Sequence, residues 1–511
     1  MTGRLTHLRR ILRWGRTLAR HGVLRQFETS PHAPPQLKRL ARLARFGVSA
    51  PLRPRYREAF QELGPAAIKL GQALATRPDL VGEDAARELA GLQDRLSPFP
   101  FAQVCASIEE AFGRSVSDLF ASIEETPVGS ASIAQVHRAV TTDGRTVAVK
   151  VLRPHIEEDF ERAIETYEWL AARIEMQGGE FARLRPRATI AYFRKWTERE
   201  LNLRIEAASA SELAENLAAE PGFIVPDVDW QRTARRVMTI EWIDGIKMTD
   251  TAAIEAAGLD RQALAGILVR GFLRQAIVNG FFHADLHQGN LFALPDGRIA
   301  AIDFGIMGRI DRRARLWLAE IIGGLVSGDY RRVAEIHFEA GYVPPHHNLD
   351  EFVTALRSVG EPIRGLPVKD ISVGQMLDGL FSITRQFDMV TQPHLLLLQK
   401  TMVMVEGVAY ALDPEVNMQT MAGPLIEEWG RDEMGPEAQL AERLIKDWRT
   451  ILEFPDFMRR VMALVPEPGA APPLPPLAPL PETRPWAPDR AGWLLLGTGI
   501  GAALAMGAAL L

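Results

Sequence analysis

The chain has 511 residues, 47% of them apolar, with a formal net charge of −5 and one cysteine. That length accommodates more than one domain around a sizeable core, and so small a net charge gives no support to a nucleic-acid partner. A lone Cys105 excludes an intramolecular disulfide and a cysteine-built metal cluster.

Residues 1–22 carry Arg4, Arg9, Arg10, Arg13, Arg16 and Arg20, with no acid before Glu28. Leu5, Leu8, Ile11, Leu12 and Leu18 can share one helical face. The spacing predicts a basic amphipathic arm, suited to an anionic membrane surface or a targeting role, with a solvated helix as the plain alternative. Residues 23–125 read as a helical region. Within it GPAAIKLGQALA sets Lys69 and Gln72 on an apolar helical background, and AQVCASIEEAF is expected to bury the Cys105 thiol.

Apolar and polar residues alternate on both sides of Asp143-Gly144 between Val128 and Leu152, which predicts a β-hairpin within residues 126–245. The second strand ends in VAVK, so Lys150 stands where a lysine neutralises the α- and β-phosphates of a nucleotide. No GxGxxG loop precedes the hairpin. Its place is taken by PVGSAS, Pro127–Ser132, whose small side chains and backbone N–H groups can cradle phosphates. Helices are expected from Pro154 to about Met176 and from Thr197 to about Leu217. The second contains Glu200, Asn202 and Glu206, with Asn202 and Glu206 one turn apart on a shared face, and Glu206 is the acid expected to pair with Lys150. Val237–Trp242 reads as a buried strand running into Ile243-Asp244-Gly245. In a bilobal kinase such a turn is the adenine-binding hinge, which makes Glu241 and Ile243 candidate backbone contacts.

The strongest chemical signal lies in the mostly helical stretch 246–465. HADLHQGN, His283–Asn290, is followed by IDFG, Ile302–Gly305. Asp285 can accept a hydroxyl proton, while Asn290 and Asp303 supply oxygens for a divalent metal, at the spacing of a kinase catalytic loop and its DFG triplet. A helical pattern starts at about Arg312 and no APE triplet occurs, leaving no room for an ordinary activation segment or a protein substrate docked on one.

Residues 466–490 are rich in Pro and Ala and read as an extended tether. Ala491–Leu511 contains no charged residue and is long enough to cross a hydrocarbon core of about 30 Å. A transmembrane anchor is expected there, with Trp486 and Trp493 at the interface and Arg484 and Arg490 on the cytoplasmic side. Gly497 and Gly501 form a GxxxG pair that would join two such helices in a homodimer.

From about Ala50 to Gly308 the chain resembles the UbiB family of atypical kinases, the membrane-linked proteins of ubiquinone biosynthesis. The most specific match is Lys69, Gly71 and Gln72, the KxGQ signature. The resemblance implies an α+β, bilobal protein-kinase-like fold with a helical N-terminal extension, taken here with the C-terminal transmembrane helix. It makes Val128, Gly129, Ser130, Ala131, Ser132, Ile133, Ala134, Gln135 and Val136 the nucleotide loop, Lys150 the ATP lysine and Glu206 its partner. Asp285 becomes the catalytic Asp, Asn290 and Asp303 the metal ligands, and Lys69, Gln72, Glu200 and Asn202 a gating set that occludes protein substrates.

The implied cofactors are ATP or ADP and Mg2+. Implied partners are membrane lipids, isoprenoid quinone precursors and enzymes of the ubiquinone pathway, at a bacterial cytoplasmic membrane or a mitochondrial inner membrane. The family's older association with 2-polyprenylphenol 6-hydroxylation finds no flavin or iron oxygenase signature here. Two departures from the family, and one from ordinary protein kinases, stand out. Asn202 occupies the place of an Asp in the family's ExD motif, Gly129 and Ser130 replace alanines, and His287 sits where ordinary protein kinases have a lysine. The competing readings are a small-molecule kinase of the aminoglycoside-phosphotransferase type and a nucleotide-gated, lipid-binding scaffold without useful turnover.

Overall fold

The computed structural model describes residues 2–25, 42, 44–49, 51–75, 83–92, 96–177, 186–361, 383, 386–389, 393–416 and 421. These fall into two compact units. Of the described residues, the first holds those up to Ala208 and Val228–Trp242, and the second holds Ser209–Asp227 and those from Ile243 on.

In the first unit, α1 (Thr2–Arg20), α2 (Tyr56–Leu63), α3 (Pro65–Ala75), α4 (Glu83–Ala90) and α5 (Phe101–Phe112) precede a five-stranded antiparallel sheet. Its strands are β1 (Phe120–Ile123), β2 (Gly129–Ser130), β3 (Ala134–Thr141), β4 (Thr146–Leu152) and β6 (Val237–Glu241), in the order β1-β3-β4-β6 with β2 also on β3. The expected hairpin is therefore β3–β4. The two-residue period of β4 sends Val147, Val149 and Val151 into a core with Val104 and Ile108 of α5. It leaves Lys150 on the opposite face.

Helices α6 (Ile156–Gln177), α7 (Pro186–Glu200) and α8 (Leu203–Asn216) follow the sheet. The start of α6 agrees with the apolar spacing, but the single helix expected across Thr197–Leu217 is two, broken at Leu201–Asn202. The N-terminal arm also differs from expectation. Part of its apolar side is covered within this unit: Ile11, Trp14 and Leu18 are buried while Leu12 is exposed, and the Trp14 ring lies 5.1 Å from that of Tyr167 on α6. His7 Nδ1 is 3.0 Å from Thr166 Oγ1, so α1 is a packed helix carrying basic residues outward.

The second unit holds a four-stranded sheet in the order β5-β10-β9-β7, made of β5 (Phe223–Ile224), β7 (Ile246–Lys247), β9 (Leu291–Ala293) and β10 (Ile299–Ala301). A separate ribbon pairs β8 (Phe281–His283) with β11 (Met307–Arg309). α9 (Arg261–Leu273) runs into a π-helical turn, Arg274–Asn279, that ends at Gly280. Gly280 has φ 65°, and a Cβ there would lie 2.4 Å from the Ile310 carbonyl oxygen, so only glycine fits this turn into β8. α10 (Arg312–Ser327) begins where the sequence pattern places it, capped by Asp311, whose Oδ1 accepts the Ala314 N–H at 2.8 Å. α11 (Tyr330–Glu339) and α12 (Leu349–Gly360) share a core of Tyr330, Val333, Ile336, Phe352 and Leu356, and α13 (Pro393–Leu412) packs against α9.

One element of the expected fold class requires correction. Among the described residues no helix is long and apolar enough to cross a membrane. Even the long apolar α13 is interrupted by Lys400 and Glu406. Residues 466–511, on which the tether, the transmembrane helix and the helix-mediated dimer were read, lie outside the described residues. The fold is α+β and kinase-like without a membrane-spanning helix in its description.

Candidate active site

Two ladders assemble an acidic cluster in the second unit. The β8–β11 ribbon continues into the bond from Ala284 N–H to the Ile306 carbonyl at 3.0 Å. The β9–β10 pair continues into the bond from Ile302 N–H to the Asn290 carbonyl at 2.9 Å. The loops 284–290 and 302–306 are thus tied together at both ends. Asp285, Asn290 and Asp303 are carried by these two paired loops.

Within this frame each side chain has a defined role in holding the loop. Buried Gln275, from the π turn, accepts the His283 N–H on Oε1 at 3.0 Å. Burial holds His283 below the usual histidine value, against the upward pull of Asp285 and Asp303, and its Nδ1 accepts the Asp285 N–H at 3.1 Å. Asn290 is buried and donates Nδ2 to the Asp285 carbonyl at 3.2 Å, which leaves Oδ1 as its outward acceptor. Asp303 is exposed and holds φ 66°, a left-handed backbone that non-glycine residues adopt sparingly and that clusters at functional sites. The Asp285 carboxylate is flanked by Lys400 Nζ, 3.5 Å from Oδ1, and by His287 Nε2, 3.8 Å from Oδ2. Carboxylate and amide oxygens with no sulfur donor are a set that fits Mg2+.

The first unit carries a buried ion pair and a small-residue loop of its own. Lys150 Nζ donates to Glu206 Oε1 at 2.6 Å, and the side chains are 19% and 8% exposed. The loop at 128–136, expected to cradle phosphates, is a tight hairpin: Gly129 pairs with Val136, Ser130 with Gln135, and the Ala131 N–H reaches the Ala134 carbonyl at 2.8 Å. Val128 and Gly129 are exposed, while Ser132, Ile133 and Ala134 are buried. Gln135 is buried and its amide is engaged within the fold. Its buried amide exchanges hydrogen bonds with the backbone of Phe99 at 3.1 and 3.3 Å and meets His137 at 2.9 Å. Glu241 ends β6 and is exposed, and Ile243 is half-buried.

No local signal pointed to Arg153. Its guanidinium donates to the Ala131 carbonyl, to Ser130 Oγ at 3.0 Å and to the Ser97 carbonyl, fastening the hairpin tip from the far end of β4. Such a clamp does the work of rigidity where glycines are few.

The KxGQ segment lies on α3. Lys69 Nζ donates to Glu200 Oε1 at 3.0 Å, with side chains only 8% and 6% exposed, and stands 5.8 Å from the centre of the Trp196 ring. Gly71 lets α3 press close: a Cβ there would be 2.5 Å from Leu92 Cδ1 and 2.7 Å from Phe60 Cδ1. Gln72 is half-buried on the next position. Asn202 does not share a helical face with Glu206. It sits in the break between α7 and α8, where its Oδ1 accepts the Arg204 N–H at 3.2 Å as a helix cap. Cys105 is half-buried, and burial pushes its thiol up, away from nucleophilic use.

Residues 91–337 match the ABC1 atypical kinase-like domain, and residues 356–417 match the UbiB helical domain. A "Probable protein kinase UbiB" of Marinobacter nauticus is 41% identical over 386 residues, covering 75% of this chain and 71% of the relative. A protein of the same name from Xylella fastidiosa is 41% identical over 394 residues, 76% of this chain and 71% of that one. A solved structure described as the complex of Rv3197 and erythromycin from Mycobacterium tuberculosis covers 71% of this chain and 92% of its own, at 27% identity and a TM-score of 0.47. Identity of this depth, running through the kinase-like region and the helical region that follows it, shows that the chain belongs to the UbiB family of atypical kinases, the kinase-like proteins of ubiquinone biosynthesis.

Proposed function

We propose that this chain uses MgATP in phosphoryl transfer or hydrolysis that supports ubiquinone biosynthesis, acting on isoprenoid quinone precursors in company with other enzymes of that pathway. The observation that carries the reading is the pair of laddered loops presenting Asp285, Asn290 Oδ1 and Asp303 together. Lys150, oriented by Glu206, is suited to hold nucleotide phosphates. Asn290 and Asp303 would hold Mg2+, which when bound neutralises charge on the phosphate oxygens. Asp285 takes the proton from the attacking hydroxyl or water as that oxygen bonds to the γ-phosphorus, and the bond to the β–γ bridging oxygen breaks to release ADP. The hairpin loop, short of glycine and fastened by Arg153, replaces a flexible glycine loop with a fixed edge.

The test pairs chemistry with pathway. MgATP hydrolysis by the purified chain and quinone-intermediate profiles of cells relying on it are measured for the native sequence and for Asp285→Asn. Loss of both turnover and mature quinone is expected. Full turnover by Asp285→Asn would sink the chemical assignment, and normal quinone levels without turnover would favour a scaffold.

A further inference from the structure

We propose that Lys400 is a phosphate-binding residue of this site, the cation for the transferred phosphoryl group that the catalytic loop itself lacks. The proposal rests on the phosphotransfer reading above and assigns a residue 115 positions from Asp285.

The helix explains why the lysine is where it is. Leu398, Thr401, Val405, Val408, Ala409 and Leu412 recur at three- and four-residue spacing and form the buried side of α13. Lys400 stands beside Thr401 at the margin of that side, exposed, with Nζ 3.5 Å from Asp285 Oδ1. A purely structural role for this contact is weak. The side chains are 42% and 28% exposed, and a pair so open to water at this separation adds little to stability.

The chemistry of the loop supplies the other reason. Ordinary kinases carry a lysine where this chain has His287, and the His287 imidazole lies 3.8 Å from Asp285 Oδ2, so the loop has no permanent cation of its own. Lys150 is already engaged with Glu206 in the other unit. An ammonium on a four-carbon stem has three donors, so Lys400 can keep one toward Asp285 Oδ1 and turn another to a phosphate oxygen. In phosphoryl transfer a cation so placed binds charge on the γ-phosphoryl oxygens and leaves the α- and β-phosphates untouched. Lys400 therefore distinguishes ATP from ADP.

Full-length protein carrying Lys400→Met, Lys400→Gln or Lys400→Arg is titrated with fluorescently labelled ATP and ADP in Mg2+, with melting temperature as a control for folding. For the two uncharged variants we expect ATP affinity to fall about tenfold, ADP affinity to hold within about twofold, and kcat for hydrolysis to fall about 100-fold. Lys400→Arg retains most of the preference for ATP. A merely structural lysine would weaken both nucleotides alike, and that result, or an unchanged preference, overturns the assignment. If the native protein binds neither nucleotide, the phosphotransfer reading falls with it. If the native protein binds and hydrolyses ATP while the uncharged variants keep its preference, only Lys400 is removed from the site.

Discussion

In the first unit, charge is shut away and answered in place. Lys69–Glu200 and Lys150–Glu206 are close pairs, at 3.0 and 2.6 Å, and none of the four side chains is more than 19% exposed. In the second unit, Asp285 is 28% exposed, with Lys400 Nζ at 3.5 Å and the His287 imidazole at 3.8 Å, and Asp303 is exposed on a left-handed backbone. A buried pair fixes the elements that carry it, because removing either member strands a charge out of water. An open carboxylate on an over-determined loop is held for a ligand, and its removal costs chemistry before it costs stability.

The largest effect should therefore come from the open side. Asp303→Asn should lower MgATP turnover by about 1,000-fold or more. Its melting temperature should stay within about 2 °C, since Asn adopts the left-handed conformation at φ 66° as readily as Asp. A steady-state ATPase assay with a parallel melt checks both halves. A large loss of stability would break the comparison.

Lys150→Met should be worse for the fold and nearly as bad for function. It leaves the Glu206 carboxylate buried without its cation, at about 3–5 kcal/mol in denaturant unfolding, and nucleotide binding should fall with it. Lys69→Met should cost about 3 kcal/mol by the same reasoning, with Glu200 stranded beside Trp196. The double variant Lys69→Met/Glu200→Leu should recover most of that loss, since it removes both buried charges together. If the double variant is as unstable as the single one, packing and not charge governs this contact.

How much of this could be read in advance follows from how local each signal is. The β3–β4 hairpin, Lys150, the α10 start and the HADLHQGN–IDFG pair are written in short windows, because period-2 alternation, a cap and a loop spacing each need only a few residues. Glu206 as partner of Lys150 was legible only through the resemblance to kinases. Lys400 and Arg153 had no signal, since each acts through a contact that only tertiary packing creates. The error at Asn202 has the opposite origin. A 3.6-residue period was carried through Leu201–Asn202, where an Asn can cap a new helix and end the old one. Burial of the N-terminal arm's apolar face was equally invisible, since an amphipathic helix looks the same against a membrane as against α6.

Asn202 also supplies the smallest expected effect. As a departure from the ExD pattern it casts doubt on the gating set, because an amide cannot give Lys69 a full negative charge. Glu200 already provides that charge at 3.0 Å, and Asn202 is occupied with the Arg204 N–H. Asp caps a helix about as well as Asn and adds a favourable interaction with the helix dipole of about 0.3–1 kcal/mol. Asn202→Asp should accordingly leave ATP turnover within about twofold and raise stability by no more than that dipole contribution. The two are read in the same ATPase and unfolding experiments. A change in turnover of tenfold would mean that the charge at this position acts on the nucleotide site.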